Sequence, residues 1–348
     1  MARINPEFSE KLKKYGAFDL NACYNCGNCT AVCSLSTEED SFPREMVRAS
    51  VLGLENDIKT SLKPWLCYYC GECSETCPRQ AFPGELMMSL RRWLTSKYDW
   101  TGLSGLLYKS LPVSILFFLL VIAGVLGFSY YENNNLETIM HYGHYFEMFA
   151  IASVFTIILL PNIIKMWYLT IIKPKFKVKF ATYFTKLWDL IVHMFTQKRA
   201  LGCDDNQFRW FEHFILVLGY LSLLFTTVFL DWFSTSSTFI IALGYIESAL
   251  IFVVTFDFIR RRIIKDREIS KHSHPSDWFF VIWLFCMGLF SFLVRLFIDL
   301  DILDQNMWMY LLQLIVLVQW ALIIVPFGKW THFLYRSFAM YFDSLRKG

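Results

Sequence analysis

Residues 112–131 read PVSILFFLLVIAGVLGFSYY, an apolar run that carries no charged side chain and closes on two tyrosines. At about 1.5 Å per residue, such a helix crosses the roughly 30 Å hydrocarbon core of a bilayer. The run marks a sharp change in the chain. Residues 1–110 are mixed and polar, whereas five further apolar stretches follow, at 144–167, 210–230, 239–259, 278–300 and 308–327. Trp and Tyr sit at many of their ends, as an interfacial aromatic belt requires. The chain has 348 residues, 55% apolar, 18% aromatic and only 18% charged. A soluble domain carries about 25% charged residues, so an all-soluble protein is excluded, and so is disorder. The net charge of +3 is too small and too dispersed for nucleic-acid binding.

Lysine and arginine set the expected orientation. Lys173, Lys175, Lys177, Lys179, Lys186, Lys198 and Arg199 fill the connection after the second stretch, and Arg260, Arg261, Arg262, Lys265, Arg267 and Lys271 follow the fourth. The tail adds Lys329, Arg336, Arg346 and Lys347. The opposite connections, 132–143, 231–238 and 299–306, contain neither residue type. The positive-inside rule then places both termini and residues 1–110 in the cytoplasm, under a multi-pass domain of the inner membrane. The opening MARINPEFSEKLKK lacks an apolar h-region, so no secretory signal is expected. Residues 181–199 carry Tyr183, Leu187, Leu190, Ile191 and Met194 at near-helical spacing. They predict an amphipathic helix, lying in the membrane interface or packed on the bundle.

Eight of ten cysteines lie between Cys23 and Cys77, in the runs CYNCGNCTAVC (23–33) and CYYCGECSETCP (67–78). Both have the spacing x2-x2-x3 of a [4Fe–4S] ferredoxin, in which three thiolates hold one cubane and the fourth reaches the other. That rule groups Cys23, Cys26, Cys29 and Cys77 on one cluster, and Cys67, Cys70, Cys73 and Cys33 on the second. Gly27 and Gly71 occupy matching positions, where a small residue lets backbone N–H groups approach the sulfurs. Structural zinc is the competing use, but zinc sites usually pair two C-x-x-C units. Pro78 follows Cys77, whereas Ser34 follows Cys33, so the symmetry is imperfect. Cys203 and Cys286 read as packing residues.

The segment holding these runs, with FPREMVRASVLGLE between them and PRQAFPGELM after them, resembles the iron–sulfur C subunit of heterodisulfide reductase. Its fusion to a heme-b-type membrane domain resembles the membrane component of quinone-interacting membrane-bound oxidoreductase (Qmo) complexes, and PFGKWTHFLYR (326–336) is similar to a heme-ligating end of related cytochrome b proteins. The resemblance implies flavin-containing cytoplasmic partners akin to the A subunit of heterodisulfide reductase, a menaquinone pool, two hemes and, through sulfur metabolism, a link to adenylylsulfate reductase.

A bis-histidine heme needs two imidazoles at one depth on neighbouring helices. His213 opens the third stretch and His332 lies just past the sixth, both at the basic end, so they are the expected axial pair of a heme b. Arg209, Lys329 and Arg336 flank them and could pair with propionates. At the far end His144 is the candidate for a second heme, with Met307 or Met309 opposite; alternatively His141 and His144 are surface residues there. His193 is a candidate proton partner at a quinone site near His213 and His332, and His272 and His274 are expected to be solvated. Ionisable residues inside membrane stretches are functional candidates. Glu147, Glu247, Asp257 and Arg295 qualify; Glu247 and Arg295 could pair with each other or with an outer cofactor, Asp257 could pair with Arg260, and Lys165 could snorkel. Pro161 predicts a kink.

The expected fold is all-α: a two-cluster ferredoxin-type domain over 1–110 and a six-helix transmembrane bundle over 111–348. The expected function is electron relay between a soluble flavin/iron–sulfur partner and menaquinone. A heme-free cluster-to-quinone relay and a redox-linked transporter or sensor are the alternatives.

Overall fold

The computed structural model describes residues 4–198, 201, 207–265 and 267–348. Arg199, at the end of the expected amphipathic helix, and Cys203 lie outside them. Among the described residues the secondary structure is helical throughout. Six helices are long and apolar enough to cross a membrane: Leu111–Tyr131, Leu136–Ile172, Gln207–Phe229, Thr238–Ile264, Pro275–Asp299 and Asp304–Lys347. The first shows most clearly why sequence alone dictates this. Leu116, Leu119, Leu120 and Leu126 remain exposed on its outer surface, as expected of a face that lipid or another apolar surface covers.

Each expected stretch matches one of these helices, two of the stretches overrunning the helix end by one residue, but several helices run longer. The second begins at Leu136, right after Asn135, whose side chain caps it by accepting from Thr138 N at 3.0 Å. It does not end at Pro161. The turn before that proline, Val154–Leu159, widens to π geometry and the helix continues through Trp167. A proline ring has no N–H to donate and crowds the carbonyl one turn back, and a widened turn relieves both problems. Pro326 is preceded by the same device at Trp320–Ile324.

Within the bundle, the fourth and fifth spans meet backbone to backbone. A Cβ on Gly288 would stand 2.8 Å from Phe252 N and 2.9 Å from Ser248 O, so only glycine permits this approach. Cys286 packs against the bundle core, as expected. The suggested pair of Glu247 with Arg295 does not form. Glu247 accepts from the hydroxyls of Ser222 and Thr226 on the third span, whereas Arg295 donates to the carbonyls of Trp232 and Phe233 (2.7 and 3.2 Å) and pairs with Asp299 at 2.7 Å. Asp257 does pair with Arg260 (3.2 Å), and also with Arg261 (2.6 Å), which reaches across to Glu212 at 3.1 Å. Lys165 snorkels to Asp99 O at 3.4 Å.

Residues before the first span fold as short helices around Pro83–Tyr98, the longest helix of this unit. Phe8, Leu12, Trp65, Leu86, Leu90, Leu94 and Tyr98 form its core. That core continues into Tyr335, Ala339, Phe342 and Leu345 of the helix Thr331–Lys347. The tail is therefore part of the N-terminal unit rather than a basic flank of the bundle. Helices Phe180–Thr185 and Leu187–Thr196 replace the single amphipathic helix expected over 181–199. Tyr183, Leu190 and Met194 face the protein core, while Phe180, Phe184, Trp188 and Phe195 point outward, so the segment is packed on the protein and presents an aromatic face as well.

The N-terminal unit caps the end of the bundle where the basic connections gather. Arg92 of the helix Pro83–Tyr98 pairs with Asp277 at 2.9 Å, and Asp277 also pairs with Lys329 at 2.8 Å. The histidines expected to be solvated are built into this junction. His272 packs edge-on against Phe18 and Phe82 at 4.7 and 4.9 Å, and His274 caps the fifth span, its Nδ1 accepting from Ser276 N at 3.2 Å. The N-terminal unit lies over the basic loop and leaves both residues only partly exposed.

Candidate functional site

The two cysteine runs adopt one backbone shape twice. Asn25 and Tyr69 take φ of 58° and 59°, and Gly27 and Gly71 take 88° and 97°. These left-handed residues turn the chain so that Asn25 N donates to Cys23 Sγ at 3.3 Å and Tyr69 N to Cys67 Sγ at 3.4 Å. Short helices follow, Asn28–Ala31 and Glu72–Glu75. The runs cross. The charge neighbours of the Cys29 thiol are Cys23, Cys77 and Cys26, whereas those of Cys33 are Cys67 and Cys70. Cys73 has Cys67, Cys70 and Cys33 around it and, as the weakest of the four, Cys29. Where Ser34 stands in place of a proline, the backbone N–H groups of Leu35 and Ser36 point at the Cys33 sulfur. Burial pushes the Cys33 thiol up to about 11 and raises Cys73 further. Such thiols are neutral at pH 7, so binding iron must displace their protons. Cys26 is exposed while Cys67 is buried, so one run faces outward and the other faces the bundle.

The inward-facing run borders a cavity of about 270 Å³, and Tyr68 and Tyr69 form part of its wall. His213 and His332 line the same cavity, with the aromatic rings of Trp210, Tyr220, Phe280, Trp320 and Trp330. The expected axial pair is thus brought together, although the residues lie 119 positions apart. Trp65, two residues before Cys67 and fully buried, packs its ring 6.0 Å from that of His332. Arg91 and Arg209 fasten the cysteine loop to the cavity. Arg91 donates to Pro64 O at 2.7 Å and to Cys67 O at 2.5 Å, and Arg209 donates to Tyr69 O at 3.1 Å.

The cavity wall is strongly cationic: Arg91, Arg209, Arg261, Arg262, Arg267, Lys329 and Arg336 all contribute. Nη1 of Arg262 is buried with no hydrogen-bond partner among the described residues. A buried guanidinium nitrogen left in that state calls for an anionic group. Two imidazoles, a girdle of rings and unneutralised guanidinium groups are a donor set that fits a tetrapyrrole iron with carboxylate arms. Flanking residues Arg209, Lys329 and Arg336 all stand on the wall, as expected.

Two candidates fall elsewhere. His193 does not line this cavity; the helix Leu187–Thr196 turns its Leu190 side onto the tail helix, and the residue that reaches the wall is Gln197, in the left-handed turn after it. At the other end of the bundle, His141 and His144 line a cavity of about 360 Å³ with Glu147, Asp231 and Tyr310. Neither Met307 nor Met309 reaches it. Met309 is buried in the bundle core, and the helix phase presents Tyr310 instead.

Arg91, Arg262, Tyr69 and Trp65 were not singled out by the sequence. Only the Arg91–Arg92 pair, set in the mostly apolar run LMMSLRRWL (86–94), hints at a buried charged role.

A model of the 4Fe-4S dicluster domain family matches residues 22–82. The chain is 33% identical over 96 residues to an Archaeoglobus profundus protein described as similar to the C subunit of heterodisulfide reductase, covering 27% of this chain and 51% of that protein. It is 36% identical over 77 residues to the C subunit of the H(2):CoB-CoM heterodisulfide,ferredoxin reductase of Methanothermobacter thermautotrophicus, covering 22% and 42% respectively. A third relative, the iron-sulfur C subunit of the CoB--CoM heterodisulfide reductase of Methanopyrus kandleri, is 32% identical over 84 residues, covering 22% and 44%. The chain spans about half the length, or less, of these curated relatives. No solved structure matches. The cysteine-bearing part is therefore a [4Fe–4S] dicluster electron-transfer domain similar to the C subunit of heterodisulfide reductase, joined here to six helices able to cross a membrane.

Proposed function

We propose that this chain is the membrane electron-transfer component of an oxidoreductase complex, relaying electrons between a cytoplasmic flavin/iron–sulfur partner and menaquinone. The observation that carries this reading is the shared cavity: the loop of the second cysteine run and the two histidines His213 and His332 are walls of one space. Clusters on Cys23, Cys26, Cys29 and Cys77, and on Cys67, Cys70, Cys73 and Cys33, together with a b-type heme on His213 and His332, would each supply a one-electron carrier when bound.

The chain's own residues arrange the order of transfer. Exposed Cys26, beside the Arg79–Tyr24 cation–π pair (4.1 Å), offers the outer run to a soluble partner. Cys33 and Cys77 each cross to the other run and so hold the two groups side by side. Trp65, packed 6.0 Å from His332, links the inner run to it, and Tyr68 and Tyr69 face the same cavity. Arg209, Arg262, Lys329 and Arg336 suit propionates, and the quinone site is assigned to this same basic interface. The positive-inside distribution supports a cytoplasmic location for the dicluster domain and both termini. A partner akin to the A subunit of heterodisulfide reductase, and a Qmo-like complex linked to adenylylsulfate reductase, follow from the resemblance of the two halves.

The reduced-minus-oxidised spectrum of anaerobically purified protein tests the reading. A b-type α-band is expected, lost in His213→Ala and in His332→Ala while iron and acid-labile sulfide stay at two clusters per chain. Fully loaded wild-type protein without that band would leave the direct cluster-to-quinone relay as the correct account.

A further inference from the structure

Three cavities lie in series through the bundle. The outer one, holding His141, His144 and Asp231, shares Glu147 with a second of about 150 Å³ between the spans. The second shares Tyr220, Trp320 and Trp330 with the cavity of His213 and His332. Glu147 is thus the side chain common to the outer face and the interior. It stands eleven residues into the second span, about 16 Å along the helix. Its residue is 8% exposed, and it makes no hydrogen bond or ion pair with any described residue. The groups around it are His144 one turn earlier, Asp231 from the loop after the third span and the hydroxyl of Tyr310 on the sixth; no Lys or Arg lines the outer cavity. A charged carboxylate in that setting is expensive, so the group is a candidate for holding and passing on a proton.

A second observation shows that the inner cavity is suited to water. Gln313, fully buried, donates Nε2 to Ser291 Oγ at 2.7 Å, yet its Oε1 has no partner among the described residues. Both side chains, with Thr227 and Glu147, line this space. A dry unsatisfied amide oxygen is costly, and a water needs only about 10–15 Å³ and two or more polar partners. The cavity has the room, and Glu147, Thr227, Ser291 and Gln313 supply the polar partners in a lining that is otherwise mostly apolar.

We propose that the chain carries a water-lined proton route from its outer face through Glu147 and the Gln313–Ser291 cavity toward the His213/His332 cavity. In each step one proton passes from water in the outer cavity to the Glu147 carboxylate and from the resulting carboxylic acid to water in the inner cavity. No electron moves, and the direction follows the imposed gradient. The hydrogen-bonded Tyr220–Trp320 pair (2.9 Å) stands where the inner cavity meets that of His213 and His332. This goes beyond the relay and does not depend on it.

The test uses the full chain in proteoliposomes containing a pH-sensitive dye, with a potassium diffusion potential imposed by valinomycin and no electron donor present. Proton entry faster than in protein-free vesicles is expected. Glu147→Gln should fall to the vesicle baseline, and Glu147→Asp should retain part of the flux. Gln313→Leu, which removes the water-holding oxygen but leaves the carboxyl, should slow entry as well. Iron and sulfide content and elution volume check that each variant is folded; if Glu147→Gln fails this check, Gln313→Leu and Glu147→Asp decide the question. Wild-type vesicles no faster than protein-free ones, or a folded Glu147→Gln as conductive as wild type, would overturn the proposal.

Discussion

Asp277→Asn probes the joint that keeps the dicluster domain on the bundle. The carboxylate receives Arg92 of that domain at 2.9 Å and Lys329, at the end of the sixth span, at 2.8 Å. The Asp277 and Arg92 side chains are 9% and 7% exposed. Removing the anion leaves two buried cations facing an uncharged amide. Breaking a buried pair in this way costs about 3–5 kcal/mol, and here only Arg92 keeps another acceptor, Tyr15 O at 2.8 Å. With a urea dependence of about 2 kcal/mol per M, the midpoint for loss of cluster absorbance should fall by about 2 M. The simultaneous change Arg92→Met, Asp277→Leu, Lys329→Met removes all three charges and should be milder than Asp277→Asn alone, because the penalty lies in uncompensated charge rather than in lost attraction. An Asp277→Asn protein with an unchanged midpoint, or a triple variant less stable than the single one, refutes the reasoning.

Further outcomes follow from the same geometry. Gly71→Val forces a β-branched residue to φ 97°, with its Cβ 3.1 Å from Ile269 Cγ2; at a strain of about 1–2 kcal/mol it should lose one cluster's iron and sulfide and keep the other's. Burial, reinforced by Arg92, depresses the His274 imidazole to about 4 from its usual 6.5. The folded protein therefore holds a neutral ring whose contribution is complete above pH 6.5 and is lost as pH falls toward 4. His274→Asn, a cap that does not titrate, should flatten that acid limb of the urea midpoint. Arg91→Met removes a positive charge from the Cys67 loop, so the midpoint potential of the inner cluster should fall relative to the outer one in an EPR-monitored redox titration, whereas an unchanged separation contradicts the placement of Arg91.

How much of this could be read from the chain depended on the range of the signal. The six spans, the thiol grouping and the His213–His332 pairing rest on local regularities: apolar length, a strict x2-x2-x3 spacing and depth counted along a helix. Glu247 and Arg295 show the limit of that counting, since equal depth says nothing about rotation, and the helix phases send one toward the third span and the other to loop carbonyls. The same gap sets Tyr310, not Met307 or Met309, beside His144. His274 reads as solvated because its neighbours in sequence are polar; its neighbours in space, Gly16 and Tyr108, come from a different part of the chain. The tail helix is obscured for the opposite reason. Arg336, Arg346 and Lys347 mark it as a basic tail, while Tyr335, Ala339 and Phe342 complete the core of a unit that begins at residue 8.

The central claim is that the inner cysteine run and the two histidines hold their cofactors within one shared space. Magnetic coupling between them measures this directly. With the inner cluster reduced and the heme oxidised, its EPR signal should relax faster than when the heme is also reduced, and the enhancement should vanish in His332→Ala protein that retains both clusters. Relaxation of both cluster signals that is indifferent to the heme's oxidation state would contradict the account.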